Sequence, residues 1–244
     1  MEDRKDTDQI KIGAPFSTEI IQASTRVNYG QNLGHIHGLE TMVCMAIEGA
    51  MSIEGGNWQI FTGFLKLSNS TVHLNTTVNS IKKTNGKYVI ASSNKRSESE
   101  LVMSSRDEQT FDTVVLASPL QFSKIDIEKD MLKRIPDEIP YVRLHVTLFT
   151  SIHKLSPAFF GLAPDVEVPS TVLTTLPPGT ENPADPTDGV GPAGFFSIST
   201  LRILVNPKTL QKEYLYKIFS PKKITPVFLS GLLGFPSSYL PPLT

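Results

Sequence analysis

The chain has 244 residues, enough for one large domain or two small ones around a sizeable core. Its 24 acidic and 23 basic residues nearly cancel and neither sign is massed into a block, which excludes the phosphate-neutralising surface of a nucleic-acid binder. Cys44 is the single cysteine, so an intrachain disulfide and a cysteine-built zinc site are excluded, and its expected place is that of a small buried side chain.

The segment Met1-Glu2-Asp3-Arg4-Lys5-Asp6 has no apolar signal-peptide region, and no run is long and apolar enough to span a bilayer; the chain reads as soluble. Residues 1–18 are expected to be poorly ordered. From Phe16 to about Ala50 the pattern is helical: Phe16, Ile20, Ile21, Ala23 and Val27 recur at helical spacing after Ser17-Thr18-Glu19. A tight turn at Asn28-Tyr29-Gly30-Gln31-Asn32 precedes a second apolar helix from Leu39.

Glu54-Gly55-Gly56-Asn57-Trp58-Gln59-Ile60-Phe61 is the most informative stretch, because paired glycines let backbone approach a bulky ligand closely just before a helix begins at Trp58. An ordinary turn reads the same way. Val72–Leu74 and Val78–Ile81 then read as strand, with Gly86 turning into Tyr88–Ala91 as a hairpin partner. Asn94–Arg106 is charged and serine-rich, the composition of a solvated loop or edge. Phe111-Asp112-Thr113-Val114-Val115-Leu116-Ala117-Ser118-Pro119-Leu120 predicts a buried parallel strand, with ligand contact at the small residues that end it.

Val142–Phe149, Thr171–Leu176, Phe195–Leu204 and Tyr214–Phe219 alternate as strands, and Ile224–Leu233 suits a short helix. Pro177–Pro192, dense in proline, glycine and acid, predicts an exposed loop, and 237–244 a tail. The histidines His35, His37, His73, His145 and His153 show no metal-ligand spacing, and no metal is expected. Asn69-Ser70-Thr71 and Asn75-Thr76-Thr77 are N-glycosylation acceptors, giving Asn69 and Asn75 as candidate sites of a secretory-pathway protein.

Four ordered motifs resemble the prenylcysteine oxidase family, also called prenylcysteine or farnesylcysteine lyase. They are Thr25-Arg26-Val27-Asn28-Tyr29-Gly30-Gln31-Asn32, Glu54–Ile60, Leu74–Ile81 and Asp112–Leu120, with weaker echoes at His145–Phe149 and Tyr216–Ser220. The resemblance implies an α+β or α/β chain with a partial FAD-linked amine oxidase-like fold and a mixed β-sheet substrate domain. It covers 19–236, with 54–120 nearest the flavin, 140–236 in the substrate part and 177–192 as its exposed loop. The implied chemistry is FAD- and O₂-dependent cleavage of the thioether of farnesylcysteine or geranylgeranylcysteine to cysteine, a prenyl aldehyde and H₂O₂, in the lysosome or vacuole. No side chain accepts a hydride, so a flavin must, and the protein supplies orientation and a dry channel.

By the same resemblance the cofactor-binding residues are Gly55, Gly56 and Asn57 near the reactive part, Val78 at the adenine end, and Ala117, Ser118 and Pro119 by the same half. Arg26, Tyr29 and Trp58 are the substrate-pocket candidates, an Arg26 ion pair holding the turn being the alternative. No catalytic residue and no oligomeric state is assigned. The family's opening Gly-x-Gly-x-x-Gly fingerprint and its closing strand and helix are missing, so a fragment, splice form or degenerate copy with weak or no FAD affinity is expected. The rival expectation is a non-catalytic truncated homologue acting as a lipid-binding or scaffold domain.

Overall fold

The structure is a computed structural model, and it describes residues 12–46, 49, 51–94, 107–128, 131–180 and 189–236. The chain divides into two units, Met1–Ala50 with Tyr141–Thr244, and Met51–Pro140. All of the loop expected at 94–106 except Asn94, which ends a strand, half of the 177–192 loop and the tail at 237–244 lie outside the described residues.

In chain order, a wide helical turn at Phe16–Ile21 runs straight into α1 (Gln22–Tyr29), and α2 (Gly38–Met45) follows. The first helical turn thus begins inside the segment expected to be poorly ordered. Next come α3 (Trp58–Leu67), β1 (Thr76–Thr84), β2 (Lys87–Asn94), β3 (Asp107–Phe111), α4 (Leu120–Ser123) and β4 (Asp126–Ile127). The chain continues through β5 (His145–Ser151), β6 (Thr171–Leu173), β7 (Ser197–Val205), β8 (Lys212–Ser220) and α5 (Pro226–Leu233). Two four-stranded sheets result, β3-β2-β1-β4 and β5-β8-β7-β6. No helix among the described residues is long and apolar enough to cross a membrane.

In the unit Met51–Pro140, β1 and β2 form the expected hairpin, closed by Asn85 and Gly86, both at positive φ. Such a pair matches the right-handed strand twist at a two-residue turn. The strand expected over Phe111–Leu120 is a correction. The partner of β2 is the polar segment just before it, in the register Ser92↔Asp107 through Tyr88↔Phe111. Because the pair is antiparallel, that register reaches the Asn85-Gly86 turn within two residues of Phe111, and β2 has nothing left to pair with Val114. Residues 113–117 are therefore irregular, and Val115 is 83% exposed. An apolar run without a ladder partner is no strand. The short β4, parallel to β1 at Ser80↔Asp126 and Ile81↔Ile127, had no sequence signal.

The other sheet holds the core. All its pairings are antiparallel, which corrects the mixed sheet expected for the substrate part; the parallel pair lies in the other unit. β8 alternates, burying Tyr214, Tyr216, Ile218 and Ser220. These pack with Leu155, Phe195, Ile198, Ile224, Leu229, Leu232 and Leu233. α5 starts where Thr225 Oγ1 accepts from the Phe228 N–H and ends at Gly234 in the left-handed region. Its Phe228 meets Phe159 and Phe195 edge-on at 5.4 and 6.0 Å.

Ile218 is fully buried in this cluster, whereas Val205 at the far end of β7 is 65% exposed. Ile218→Ala is expected to lower the unfolding free energy by about 2–5 kcal/mol in urea titrations, and Val205→Ala to stay within about 0.5 kcal/mol.

Candidate functional site

Arg26 projects from α1 with no exposed surface. Its Nε donates to Asn32 Oδ1 at 2.7 Å, Nη1 to Thr174 Oγ1 at 2.7 Å and the Val190 carbonyl at 3.3 Å, and Nη2 to the Gly189 carbonyl at 2.7 Å. Asn32, also fully buried, donates from Nδ2 to the same Gly189 carbonyl at 2.6 Å, and the Phe196 ring lies 5.5 Å from the guanidinium carbon. Burial pushes the Arg26 pKa down to about 10, leaving the group charged at neutral pH. Every acceptor here is an uncharged oxygen, so among the described residues the group is held by hydrogen bonds rather than by the ion pair left open from sequence. Gly189 and Val190 are buried too, which corrects the exposed-loop expectation at that end of 177–192.

The turn after α1 needs its glycine. Gly30 stands at φ +63°, and a Cβ there would come within 2.7 Å of the Leu144 methyls. Tyr29 is partly exposed and donates from its hydroxyl to the Glu40 carbonyl at 2.9 Å. Cys44 of α2 is buried as expected, with Asn28 Nδ2 at 2.9 Å and Ser24 Oγ at 3.2 Å from its sulfur. Arg26 and Tyr29 therefore serve α1 and its neighbours.

The diglycine bend explains itself. Gly55 and Gly56 have φ of +83° and +116°, and a Cβ on either would collide with a side chain of the helix that follows, Gln59 Nε2 at 2.9 Å and Trp58 Cδ1 at 2.7 Å. Trp58 Nε1 donates to the Gly55 carbonyl at 3.0 Å, Gln59 Nε2 to the Glu54 carbonyl at 2.7 Å, and Asn57 Oδ1 accepts from the Ile53 N–H at 2.8 Å. The side chains of Trp58 and Gln59 thus lie where a Cβ on either glycine would stand. Along α3, Trp58, Phe61 and Phe64 are each about two-thirds exposed, while Thr62 and Gly63 are half-buried.

Val78 lies at a bulge in β1, where the register skips Asn79 between Val78 and Ser80. The other edge of β1 is paired by β4 only at Ser80 and Ile81. Main-chain groups around Val78 thus face an open edge among the described residues. Ala117, Ser118 and Pro119 are exposed and precede the short α4. Asn69 and Asn75 are exposed, both at positive φ in turns.

The feature that sequence reasoning missed is an open groove of about 740 Å³ in the unit that carries the core. Its floor includes Leu155, Val168, Ile203, Tyr214 and Tyr216, and its lip carries Lys154, Asp165 and Glu167. Ile203 sits directly opposite Tyr214 across the β7–β8 ladder. Lys154 Nζ and Glu167 Oε1 are 2.6 Å apart, and each holds its partner in the charged form: the Lys154 pKa is raised and the Glu167 pKa lowered. Most of the groove comes from 154–170, a stretch without the periodicity that reveals helices and strands. None of Arg26, Tyr29 or Trp58 lines it.

Residues 3–240 match the prenylcysteine lyase family. The chain belongs to the prenylcysteine lyase family. It is similar to a farnesylcysteine lyase of Arabidopsis thaliana, 30% identical over 219 residues that make up 88% of this chain and 37% of that protein. The chain therefore spans little more than a third of that relative's length. No solved structure matches.

Two site residues of this prenylcysteine lyase family member give measurable outcomes. Arg26→Met strands the Gly189 and Val190 carbonyls and Asn32, and is expected to cost about 3 kcal/mol or more in urea unfolding. Tyr216, 1% exposed and donating to the His153 carbonyl at 3.0 Å, has its phenol pushed up to about 12, chiefly by desolvation. The folded state keeps a proton that the unfolded chain loses near 10. Its stabilisation is thus present below pH 10 and lost as pH rises toward 12. Arg26 acts in the opposite sense, so the Tyr216 contribution is the difference between wild type and Tyr216→Phe, which should shrink across that window.

Proposed function

We propose that the chain is the central part of an FAD- and O₂-dependent oxidase that cleaves the thioether of farnesylcysteine or geranylgeranylcysteine. The family match over 3–240 carries this reading. Bound FAD would supply the hydride acceptor and O₂ would reoxidise it and leave as H₂O₂, while water would add to the carbon that lost hydride, so that breaking the carbon–sulfur bond gives cysteine and a prenyl aldehyde.

We assign the cofactor to one region of the chain's own residues and not to another. The open edge at Val78 and Asn79 leaves backbone donors and acceptors for the adenine end, and the exposed irregular segment at Ala117, Ser118 and Pro119 is assigned to the same half. Gly55 and Gly56 are not assigned to the flavin, since Trp58 and Gln59 occupy their space. Asn57 is assigned to the bend through its bond to Ile53. Asn69 and Asn75, both exposed, are assigned as glycan attachment sites of a lysosomal or vacuolar protein.

The open groove with its apolar floor favours a second reading, a non-catalytic homologue that holds a lipid. One preparation separates the two. The chain secreted from eukaryotic culture should lose mass on N-glycosidase treatment, show flavin absorbance when reconstituted with FAD, and release peroxide from farnesylcysteine. A colourless protein that releases no peroxide yet retains a prenylated cysteine would replace the first reading with the second.

A further inference from the structure

We propose that the groove between 154–170 and the β7–β8 ladder binds an amphiphilic α-amino acid thioether, its ammonium and carboxylate paired with the charged lip and its hydrocarbon tail on the apolar floor. The class of ligand rests on the reading above; the placement rests on the groove itself.

The charge pattern selects the head. The lip offers one cation, Lys154, beside two acids, Asp165 and Glu167. A zwitterion brings one charge of each sign to such a lip and leaves neither side short of a partner, whereas a plain anion or cation would face repulsion from one of them. Lys154 and Glu167 are both well exposed, with side chains 58% and 77% accessible, so a ligand can exchange into their pair without desolvating a buried charge.

The floor selects the tail. Leu155 and Tyr214 are buried residues of the core, Ile203 opposite Tyr214 is 55% exposed, and Val168 packs on the same cluster. An apolar chain laid there removes surface from water on both sides, at about 25 cal/mol per Å². The volume of about 740 Å³ lies inside the range of roughly 300–1,000 Å³ usual for small-molecule sites. No other described element needs this surface: Tyr216 is already satisfied by His153, and α5 is held on the core through Phe228.

The test uses the flavin-free chain and equilibrium dialysis with labelled S-farnesylcysteine, its N-acetyl derivative and farnesol. Lys154→Glu and Glu167→Lys, both exposed substitutions that should leave the melting temperature in place, are expected to weaken S-farnesylcysteine binding about tenfold, near 1.4 kcal/mol. Farnesol binding should change little with either. N-acetylation should weaken binding to wild type and erase the effect of Glu167→Lys. Ile203→Asp should weaken all three ligands.

Absence of S-farnesylcysteine binding, or binding indifferent to both lip and floor variants, overturns the proposal. Peroxide release that persists at wild-type KM in Lys154→Glu and Ile203→Asp overturns it as well, while leaving the oxidase reading standing. Charge-dependent binding without any peroxide supports the groove and removes the oxidase.

Discussion

Taking a guanidinium wholly out of water costs several kcal/mol per ion, and only dense hydrogen bonding makes it tolerable. Arg26 meets that cost with acceptors from three separate stretches: Asn32 just after α1, Thr174 after β6, and the Gly189 and Val190 carbonyls. The last three lie 148 to 164 residues away in sequence. One side chain thereby fixes α1 against the end of the antiparallel sheet. Gln22, one turn earlier, repeats the tie through Thr175 at 3.0 Å. The Thr25–Asn32 motif is thus a device for docking a helix, and its glycine admits Leu144 where any Cβ would clash.

Much of the antiparallel sheet was legible because burial on one face leaves a period of two. β8 alternates over its whole length, and β5 and β7 were found within a few residues of their bounds. The β1–β2 hairpin was legible from its turn, with Gly86 as the signal. The failure at Val114–Leu116 has the opposite origin. Apolarity marks a strand only if a ladder is available, and the hairpin's length, a non-local fact, ended the ladder at Phe111. The polar Asp107–Gln109, which does pair, carries no apolar signal at all.

The site was less legible than the fold. Arg26 was singled out, but its partners are neutral hydroxyl, amide and carbonyl oxygens, and such groups leave no mark on sequence comparable to a facing carboxylate. The two glycines before Trp58 were read as a close approach of backbone to a bulky ligand, and the structure shows a side chain of the chain itself beside them. Beside Gly56 it is the indole two residues on. Short-range self-packing and ligand contact make the same demand for a missing Cβ, and sequence cannot separate them. The groove escaped notice because its lip and part of its floor come from the loop 154–170, where geometry follows from where prolines and charges happen to meet in space.

Tyr214 and Tyr216 belong to the core cluster and to the groove at once. Their rings stack at 6.2 Å, and Phe149 leans on Tyr216 at 5.2 Å. A ligand resting on this floor therefore touches residues whose packing also holds the sheet to α5. Occupancy and folding are linked for that reason: anything bound only by the folded form stabilises it by RT ln(1 + [L]/Kd), about 2.7 kcal/mol at a hundredfold excess over Kd. A loosened floor would in turn weaken binding without any change at the lip. Charge at the lip and packing at the floor then separate in their consequences, the first acting on ligand discrimination alone and the second on discrimination and stability together.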